Sequence, residues 1–159
     1  GRETSPGTEE TPMKHMLIMR STPAATETFA ETDFEAVINA MGAYNESMIN
    51  AGVLLAGEGL AEATEDANFL VDFVQDPPLI TDGPYGETHE LFNGFWIIQA
   101  SSKEEAVEWA SRCPLGPGSK LEVRRVTDAS DFEDFADNEY IQKEEGWREQ
   151  EEKLRAENP

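Results

Sequence analysis

The residues best suited to proton transfer lie around one Gly-Pro turn. Asp82 precedes Gly83-Pro84, and His89 follows Asp82 by seven residues, so a loop that folds back would bring a carboxylate and an imidazole together. Such a pair can serve as general base and general acid without a cofactor. The favoured interpretation of Asp82 is structural, as a turn acid that accepts bonds from backbone amides, and it is compatible with a catalytic role. For His89 the favoured alternative is a surface histidine.

Six further residues are candidates for binding a substrate beside this pair, because polar and aromatic side chains can line a cleft. They are Arg20, Tyr44, Asn45, Glu58, Tyr85 and Glu87. Tyr44 also continues the apolar stripe of a predicted helix, which makes a core position the competing interpretation. Glu58 lies between two glycines, where a cleft or a bulge would explain it equally well.

The sequence carries no recognisable pattern for a metal, phosphate or nucleotide cofactor. Its two histidines, His15 and His89, are far apart and no cysteine pair accompanies them, which argues against a zinc site. His15 has apolar neighbours in a predicted strand and is interpreted as a satisfied core histidine. Cys113, the single cysteine, lies on the apolar stripe of a helix and is interpreted as core rather than nucleophile. We therefore expect neither a metal nor a cofactor.

The charge of the chain excludes several classes of partner. Twelve Lys and Arg residues stand against 33 Asp and Glu residues, a net charge of −21. Such a surface repels phosphate backbones and anionic membranes, so we expect no binding to nucleic acid or membranes. No apolar run is long enough to cross a bilayer, the first residues do not resemble a signal peptide, and one cysteine cannot form an internal disulfide. These features favour a cytoplasmic location.

The hydrophobic pattern predicts the elements that would position these residues. Residues 14–20 and 95–98 are apolar on both faces, as in central strands. Further strands are predicted at 53–57, at 69–73, where alternation indicates one strongly buried face, and at 121–126. Two amphipathic helices are predicted, each beginning at a capping box: Thr32 with Glu35, and Ser102 with Glu105.

The order of these elements predicts the fold class. Strand, helix, three strands, helix and strand describe an α+β protein, a ferredoxin-like βαββαβ sandwich in which one strand is an extension. Two helices can cover only one face of such a sheet, although several strands are apolar on both. We therefore expect a homodimer packed sheet to sheet.

The two ends of the chain differ from its middle. Residues 1–12 contain no apolar residue and are expected to be disordered. Residues 13–127 form the predicted α+β domain. Residues 128–159 hold 12 acidic and 4 basic residues, a net charge of −8, and predict an acidic C-terminal extension. An extra helix is predicted there from acid-to-base pairs four residues apart, such as Glu139 with Lys143.

Residues 81–88, Thr-Asp-Gly-Pro-Tyr-Gly-Glu-Thr, resemble the element that names the DGPF family, Thr-Asp-Gly-Pro-Phe-x-Glu-Thr-Lys. The resemblance extends over roughly residues 13–132 through separated motifs, among them 51–60, 94–96 and 103–114. Two positions depart from the family pattern: Tyr85 replaces Phe, and His89 replaces Lys. The resemblance implies a YCII-related domain with a ferredoxin-like fold of the dimeric α/β-barrel type.

Function is implied only in outline by this resemblance. Most of the family has no established activity, while its YCII branch is thought to include enzymes that use a His–Asp pair in a pocket, with lyase-type dehalogenation among the chemistries. We predict a pocket for an unknown small molecule, with cofactor-independent acid/base chemistry of a lyase-like kind carried by Asp82 and His89. The alternative is a non-catalytic module that binds a ligand or a protein, so the sequence leaves open whether the chain is an enzyme.

Overall fold

The structure is a computed structural model of the chain and describes residues 12–20, 33–61, 68–83 and 92–157. The chain divides into two compact units, Gly1–Val126 and Thr127–Pro159. The elements described in the first unit are β1 (Met13–Arg20), α1 (Phe34–Asn50), β2 (Leu54–Gly59), β3 (Phe69–Asp72), β4 (Leu79–Asp82), β5 (Phe92–Ala100), α2 (Lys103–Ser111) and β6 (Lys120–Arg125).

Four strands of the first unit form one antiparallel sheet in the order β2-β5-β1-β6. The two central strands, β5 and β1, include the segments predicted from sequence to be apolar on both faces. With α1 between β1 and β2, and α2 between β5 and β6, this is an α+β arrangement compatible with a ferredoxin-like fold. β3 and β4 form a separate two-stranded sheet. In the sequence these two strands come between β2 and β5, which are neighbours in the main sheet.

The core lies between the two helices and one face of this sheet. Leu17, Met48 and Ile98 are fully buried, and Tyr44 and Ala106 pack in the same cluster. Because side chains alternate along a strand, residues 13, 15, 17 and 19 of β1 share the helix-covered face, while residues 14, 16, 18 and 20 lie on the other. We call this other side the open face.

The N-terminal cap and the C-terminal glycine of α1 test how closely the sequence predicts where a helix begins and ends. The cap is Asp33, whose side chain accepts a bond from the Glu35 backbone N–H at 3.0 Å, so the prediction of Thr32 as the cap was wrong by one residue. Asp33 has the extended backbone that a cap requires and offers the carboxylate one position closer to the helix. At the other end Gly52 has a φ of 73°, the left-handed conformation predicted for it.

The ribbon of β3 and β4 corrects a prediction about burial. A strand forms at Phe69 as predicted, but the residues predicted to form its buried face are exposed: Phe69 is 68% exposed and Phe73 79% exposed. β3 pairs with β4 and not with the four-stranded sheet, so its alternating side chains do not face the core. Alternation identifies a strand without indicating which sheet it joins. The strand β4 was not predicted, and Asp82 is its last residue.

The second unit contains a 3₁₀ segment (Ala129–Phe135) and the helix α3 (Glu139–Glu157). Lys143 Nζ lies 2.7 Å from Glu139 Oε1, which confirms the first of the predicted acid-to-base pairs. α3 has no buried residue, and Trp147, 41% exposed, packs against the ring of Tyr140 with centroids 6.2 Å apart. Among the residues that the structure describes, no helix is long and apolar enough to cross a membrane.

Candidate ligand-binding site

A cleft of about 590 Å³ opens between α2 and the helix-covered face of β1 and β6. Six of its lining residues are apolar: Met13, Ala106, Val107, Ala110, Leu121 and Val123. The other four are His15, Lys103, Ser111 and Arg125. We call this the α2 cleft.

The α2 cleft follows from the side chains that α2 turns toward the sheet. Ala106 and Ala110, one turn apart, and Ser111 are small, so the helix leaves space above the strands. β6 is the edge strand, so no further strand extends the sheet on that side within the described residues. The register pairs His15 with Arg125 and Leu17 with Val123, which places these four side chains on the face below α2.

His15 is the titratable group of the α2 cleft. It is 7% exposed, which confirms the buried position predicted for it, but its Nδ1 has no hydrogen-bond partner among the described residues. The interpretation as a satisfied core histidine was therefore wrong for that atom. A buried polar atom without a partner costs about 1–3 kcal/mol. A ligand that bonds to Nδ1 would recover part of that cost.

Burial lowers the pKa of His15 below its ordinary value of 6.5, and the positive charge of Arg125 lowers it further. The Met13 backbone acts in the opposite direction and most weakly, through a contact that does not have hydrogen-bond geometry at Nδ1. The imidazole is therefore neutral at pH 7. A neutral imidazole has one nitrogen that accepts and one that donates. His15 can consequently accept a proton from a ligand or donate a hydrogen bond to one.

The α2 cleft has two basic residues in its lining, Lys103 and Arg125. None of the lining residues among the described residues is acidic. In the full sequence, by contrast, acidic residues outnumber basic ones by 33 to 12.

Two of the predicted substrate-binding residues, Tyr44 and Asn45, lie on the side of α1 that faces the sheet, where Tyr44 is buried and Asn45 is half-buried. The Tyr44 hydroxyl donates to the carbonyl of Trp109 at 2.8 Å, and its ring meets that of Trp96 edge-on at 5.7 Å. Burial raises the pKa of Tyr44. Asn45 Oδ1 accepts a bond from Trp96 Nε1 at 2.8 Å. These contacts join α1 to β5 and α2, and they leave both side chains engaged in the fold.

Arg20 and Glu58 lie on the open face, across the sheet from the α2 cleft. Arg20 donates from Nε to Glu122 Oε1 at 3.0 Å and makes an ion pair with the same oxygen through Nη2. Glu58 is exposed and opposite Phe95 in the register of β2 and β5. The structure therefore separates these two residues from Tyr44 and Asn45 by the thickness of the sheet.

Asp82 is the exposed last residue of β4, where the Gly83 N–H donates to the carbonyl of Asn68 at 3.1 Å. Tyr85, Glu87 and His89 lie outside the described residues, so the convergence of Asp82 and His89 stays a prediction.

Cys113 packs against the core, as predicted, and burial raises the pKa of its thiol to about 11. A thiol that stays protonated at neutral pH is a poor nucleophile. No group of three or more His, Cys, Asp or Glu side chains within the described ranges is placed to hold a metal ion.

A family model for the YCII-related domain matches residues 13–130. The chain belongs to the YCII-related domain family. No curated protein matches the chain. The match covers every described strand and both helices of the first unit, including all residues of the α2 cleft, and it confirms the resemblance stated from the turn at residues 81–88.

The α2 cleft of this YCII-related domain was not foreseen in the sequence. Two signals were present: a histidine beside the apolar run of a strand, and the small residues Ala106 and Ala110 spaced four apart on the buried stripe of a helix. Neither signal indicates a cleft by itself, because a small residue on a stripe usually means closer packing. Lys103 and Arg125 could be assigned to the same cleft only after the register of β1 and β6 was known.

Proposed function

We propose that this YCII-related domain binds a small organic molecule in the α2 cleft and that His15 is the group that exchanges a proton with it, without a cofactor. The observation that carries the proposal is the buried Nδ1 of His15, which lacks a partner among the described residues and belongs to a residue lining an open cleft. Buried polar atoms in native proteins are nearly always bonded, so an exception on the wall of a cleft favours a ligand site.

The size and lining of the α2 cleft support a small molecule as its occupant. Its volume of about 590 Å³ falls within the range of roughly 300–1,000 Å³ that is usual for ligand pockets. An apolar lining with a few polar groups is also usual, since apolar surface supplies affinity and polar groups fix orientation.

Acid/base chemistry of a lyase-like kind is the reaction class we propose. The lowered pKa of His15 keeps the imidazole neutral near pH 7, so it could take a proton from a carbon or hydroxyl group while a leaving group departs with the bonding electrons. The pair Asp82 and His89 remains the competing location for this chemistry. Both locations require only side chains of this chain.

A non-catalytic binding module is the second candidate, and one observation favours it. His15 has no carboxylate beside it among the cleft-lining residues, whereas a catalytic imidazole is commonly oriented by one. In that case the α2 cleft holds its ligand without turnover.

Binding can be tested by recording amide NMR shifts of the full chain against a set of small organic molecules. We expect shifts clustered on β1, α2 and β6, and we expect Val107→Trp to abolish them by filling the mouth of the cleft. The matched control is Glu108→Trp, on the next residue of α2, which is exposed and does not line the cleft. Shifts that persist in Val107→Trp, or that cluster elsewhere, would contradict the proposal.

Turnover of the molecules that bind separates the candidate reactions. Loss of turnover in His15→Leu but not in Asp82→Asn supports His15 as the acid/base group. The reverse pattern assigns the chemistry to Asp82 and its loop. Binding in the cleft without turnover of any ligand supports the non-catalytic module.

We also propose that the chain forms a homodimer through the open face. Both helices of the first unit pack on the other side of the sheet. The open face has Met16, Phe95 and Ile97, which are partly exposed, around the buried Ile18. The exposed apolar residues of the β3–β4 ribbon, Phe69 and Ile80 among them, add to this argument, since an isolated two-stranded ribbon is marginally stable in water. Sedimentation equilibrium is expected to give the dimer mass for the wild-type chain and a monomer mass for Ile97→Asp. A monomer mass for the wild-type chain would contradict the proposal.

A further inference from the structure

We infer that the ligand of the α2 cleft is a neutral alcohol or phenol, a molecule with an apolar body and one hydroxyl group that bonds to Nδ1 of His15. This inference rests on the proposed function, because it assigns a chemical class to the molecule bound at the same site.

The first support is that the polar residues of the lining differ in their access to water. Lys103, Ser111 and Arg125 are exposed, so water can hydrate them whether or not a ligand is bound. Ser111 also donates from Oγ to the Val107 carbonyl at 2.7 Å. His15 is 7% exposed, and its Nδ1 is buried without a hydrogen-bond partner among the described residues. A bond from the ligand is therefore worth most at His15, because Nδ1 has already lost its contact with water.

The second support is that a hydroxyl group suits Nδ1 in either neutral tautomer of His15. In the neutral ring Nδ1 carries either the proton or a lone pair. A hydroxyl accepts a bond in the first case and donates one in the second, whereas a carbonyl or ether oxygen can only accept and an ammonium group can only donate. Rotation of the ring about the Cβ–Cγ bond, a soft torsion in histidine, would turn Nδ1 toward the hydroxyl.

The third support is that the rest of the less exposed lining is apolar. Ala106 is buried, and Met13, Ala110 and Leu121 are half-buried. A second polar or charged group placed against these side chains would lose its hydration and gain no partner in exchange. An aliphatic or aromatic body with a single hydroxyl avoids this cost. A sugar or an amide does not, because each carries a further polar group.

The test compares phenol with toluene, and benzyl alcohol with ethylbenzene, by NMR titration of the full chain. Each pair keeps the shape of the molecule and replaces the hydroxyl by a methyl group. A cleft without a partner for the hydroxyl would prefer the hydrocarbon, because burying an unpaired hydroxyl is unfavourable. We expect the hydroxyl compound of each pair to bind roughly three- to tenfold more tightly to the wild-type chain, as one net hydrogen bond provides.

Two variants assign the preference to His15. His15→Leu should reverse the order, so that the hydrocarbon of each pair binds more tightly, whereas Lys103→Met should keep it. Lys103 is the matched control, since it lines the same cleft but is exposed. A further measurement needs no variant: in the wild-type chain, phenol should move the nitrogen resonance of His15 Nδ1 further than toluene does.

The results that would overturn the inference are distinct from those that would overturn the proposed function. Equal or tighter binding of the hydrocarbons, a preference that survives His15→Leu or disappears in Lys103→Met, or tighter binding of benzoate than of phenol each refutes the neutral hydroxyl compound and leaves a small-molecule site in place. Equal movement of the Nδ1 resonance by phenol and toluene refutes it as well, even if His15→Leu does not fold. If neither these probes nor the wider set of small molecules shifts β1, α2 and β6, both the inference and the proposed function fail.

Discussion

The two helices of the first unit cover the same face of one sheet, yet the buried polar atoms beneath them differ in whether they have hydrogen-bond partners. Beneath α1, the Tyr44 hydroxyl and Trp96 Nε1 each have a partner at 2.8 Å, and the rings of Tyr44 and Trp96 are buried. Beneath α2, small side chains leave a cleft, and the Nδ1 of His15 has no partner among the described residues. The first region is a close-packed core with its polar groups paired, whereas the second opens into a cleft of about 590 Å³.

The largest expected effect lies beneath α1, where packing is complete. Met48 is fully buried, so Met48→Ala removes contacts and leaves a cavity, and we expect a loss of about 2–5 kcal/mol in the free energy of unfolding. Urea denaturation followed by circular dichroism measures it. The control is Ile49→Ala, because Ile49 is 60% exposed and its loss should cost within about 0.5 kcal/mol. Equal effects of the two changes would show that the region beneath α1 is not close-packed.

A smaller effect is expected from one hydroxyl in the same region. Tyr44→Phe keeps the ring and removes the bond to the Trp109 carbonyl, so unfolding should become easier by about 0.5–1.5 kcal/mol. The matched control is Tyr140→Phe, because the Tyr140 side chain on α3 is exposed. This change should leave the midpoint of denaturation equal to that of the wild-type chain. An unchanged midpoint for Tyr44→Phe would mean that this bond adds nothing to the fold.

The same kind of change beneath α2 should have the opposite sign. His15→Leu removes a buried atom that has no hydrogen-bond partner in the described part of the chain and keeps a side chain of similar bulk, so we expect stability at pH 7.5 to stay equal or rise by about 1 kcal/mol. Denaturation of the ligand-free chain measures this. Destabilisation by more than about 1 kcal/mol would indicate that Nδ1 has a partner in the folded chain and that the contrast with α1 is false.

The smallest effect is a difference in pH dependence. Burial first, and the charge of Arg125 second, lower the pKa of His15 below 6.5, so the unfolded chain takes up a proton at a higher pH than the folded chain. The contribution of neutral His15 to stability is therefore complete above about pH 6.5 and is lost as the pH falls toward its folded pKa. Between pH 7.5 and 5.5 the wild-type chain should lose more stability than His15→Leu. The carboxylates are the same in both chains, so their contribution cancels in the difference. Parallel stability curves would contradict this.

The sequence allowed the prediction of those parts of the fold that depend on local pattern. The two-sided apolar strands β1 and β5, the stripe of α2 and the left-handed Gly52 are all set by residues within a few positions of one another. At the start of α2, Ser102 Oγ accepts from the Glu105 N–H at 3.1 Å as predicted, but the carboxylate of Glu105 bonds to Ser101 instead of completing the capping box. That bond holds the pKa of Glu105 below its ordinary value.

What the sequence could not predict depends on register and on space. Alternation in β3 predicted burial, yet its partner is β4 and not the main sheet. The α2 cleft joins His15 to Lys103 and Arg125, residues about ninety or more positions away in the chain, through strand pairing that no local pattern encodes. An empty volume also leaves no pattern in a sequence, because small residues serve equally well for close packing.

The most direct test is an NMR titration of the two histidine side chains, with and without a saturating amount of a small molecule that binds in the α2 cleft. His15→Leu assigns the resonances, because the histidine signals that remain in that variant belong to His89. We expect His15 to titrate below pH 6.5 in the free chain and its pKa to change when the molecule is bound, because a bond to the ring or further burial alters the balance between its charged and neutral forms. A His15 pKa at or above 6.5 in the free chain, or one that the bound molecule leaves unchanged, would contradict the claim that the α2 cleft is a ligand site built around His15.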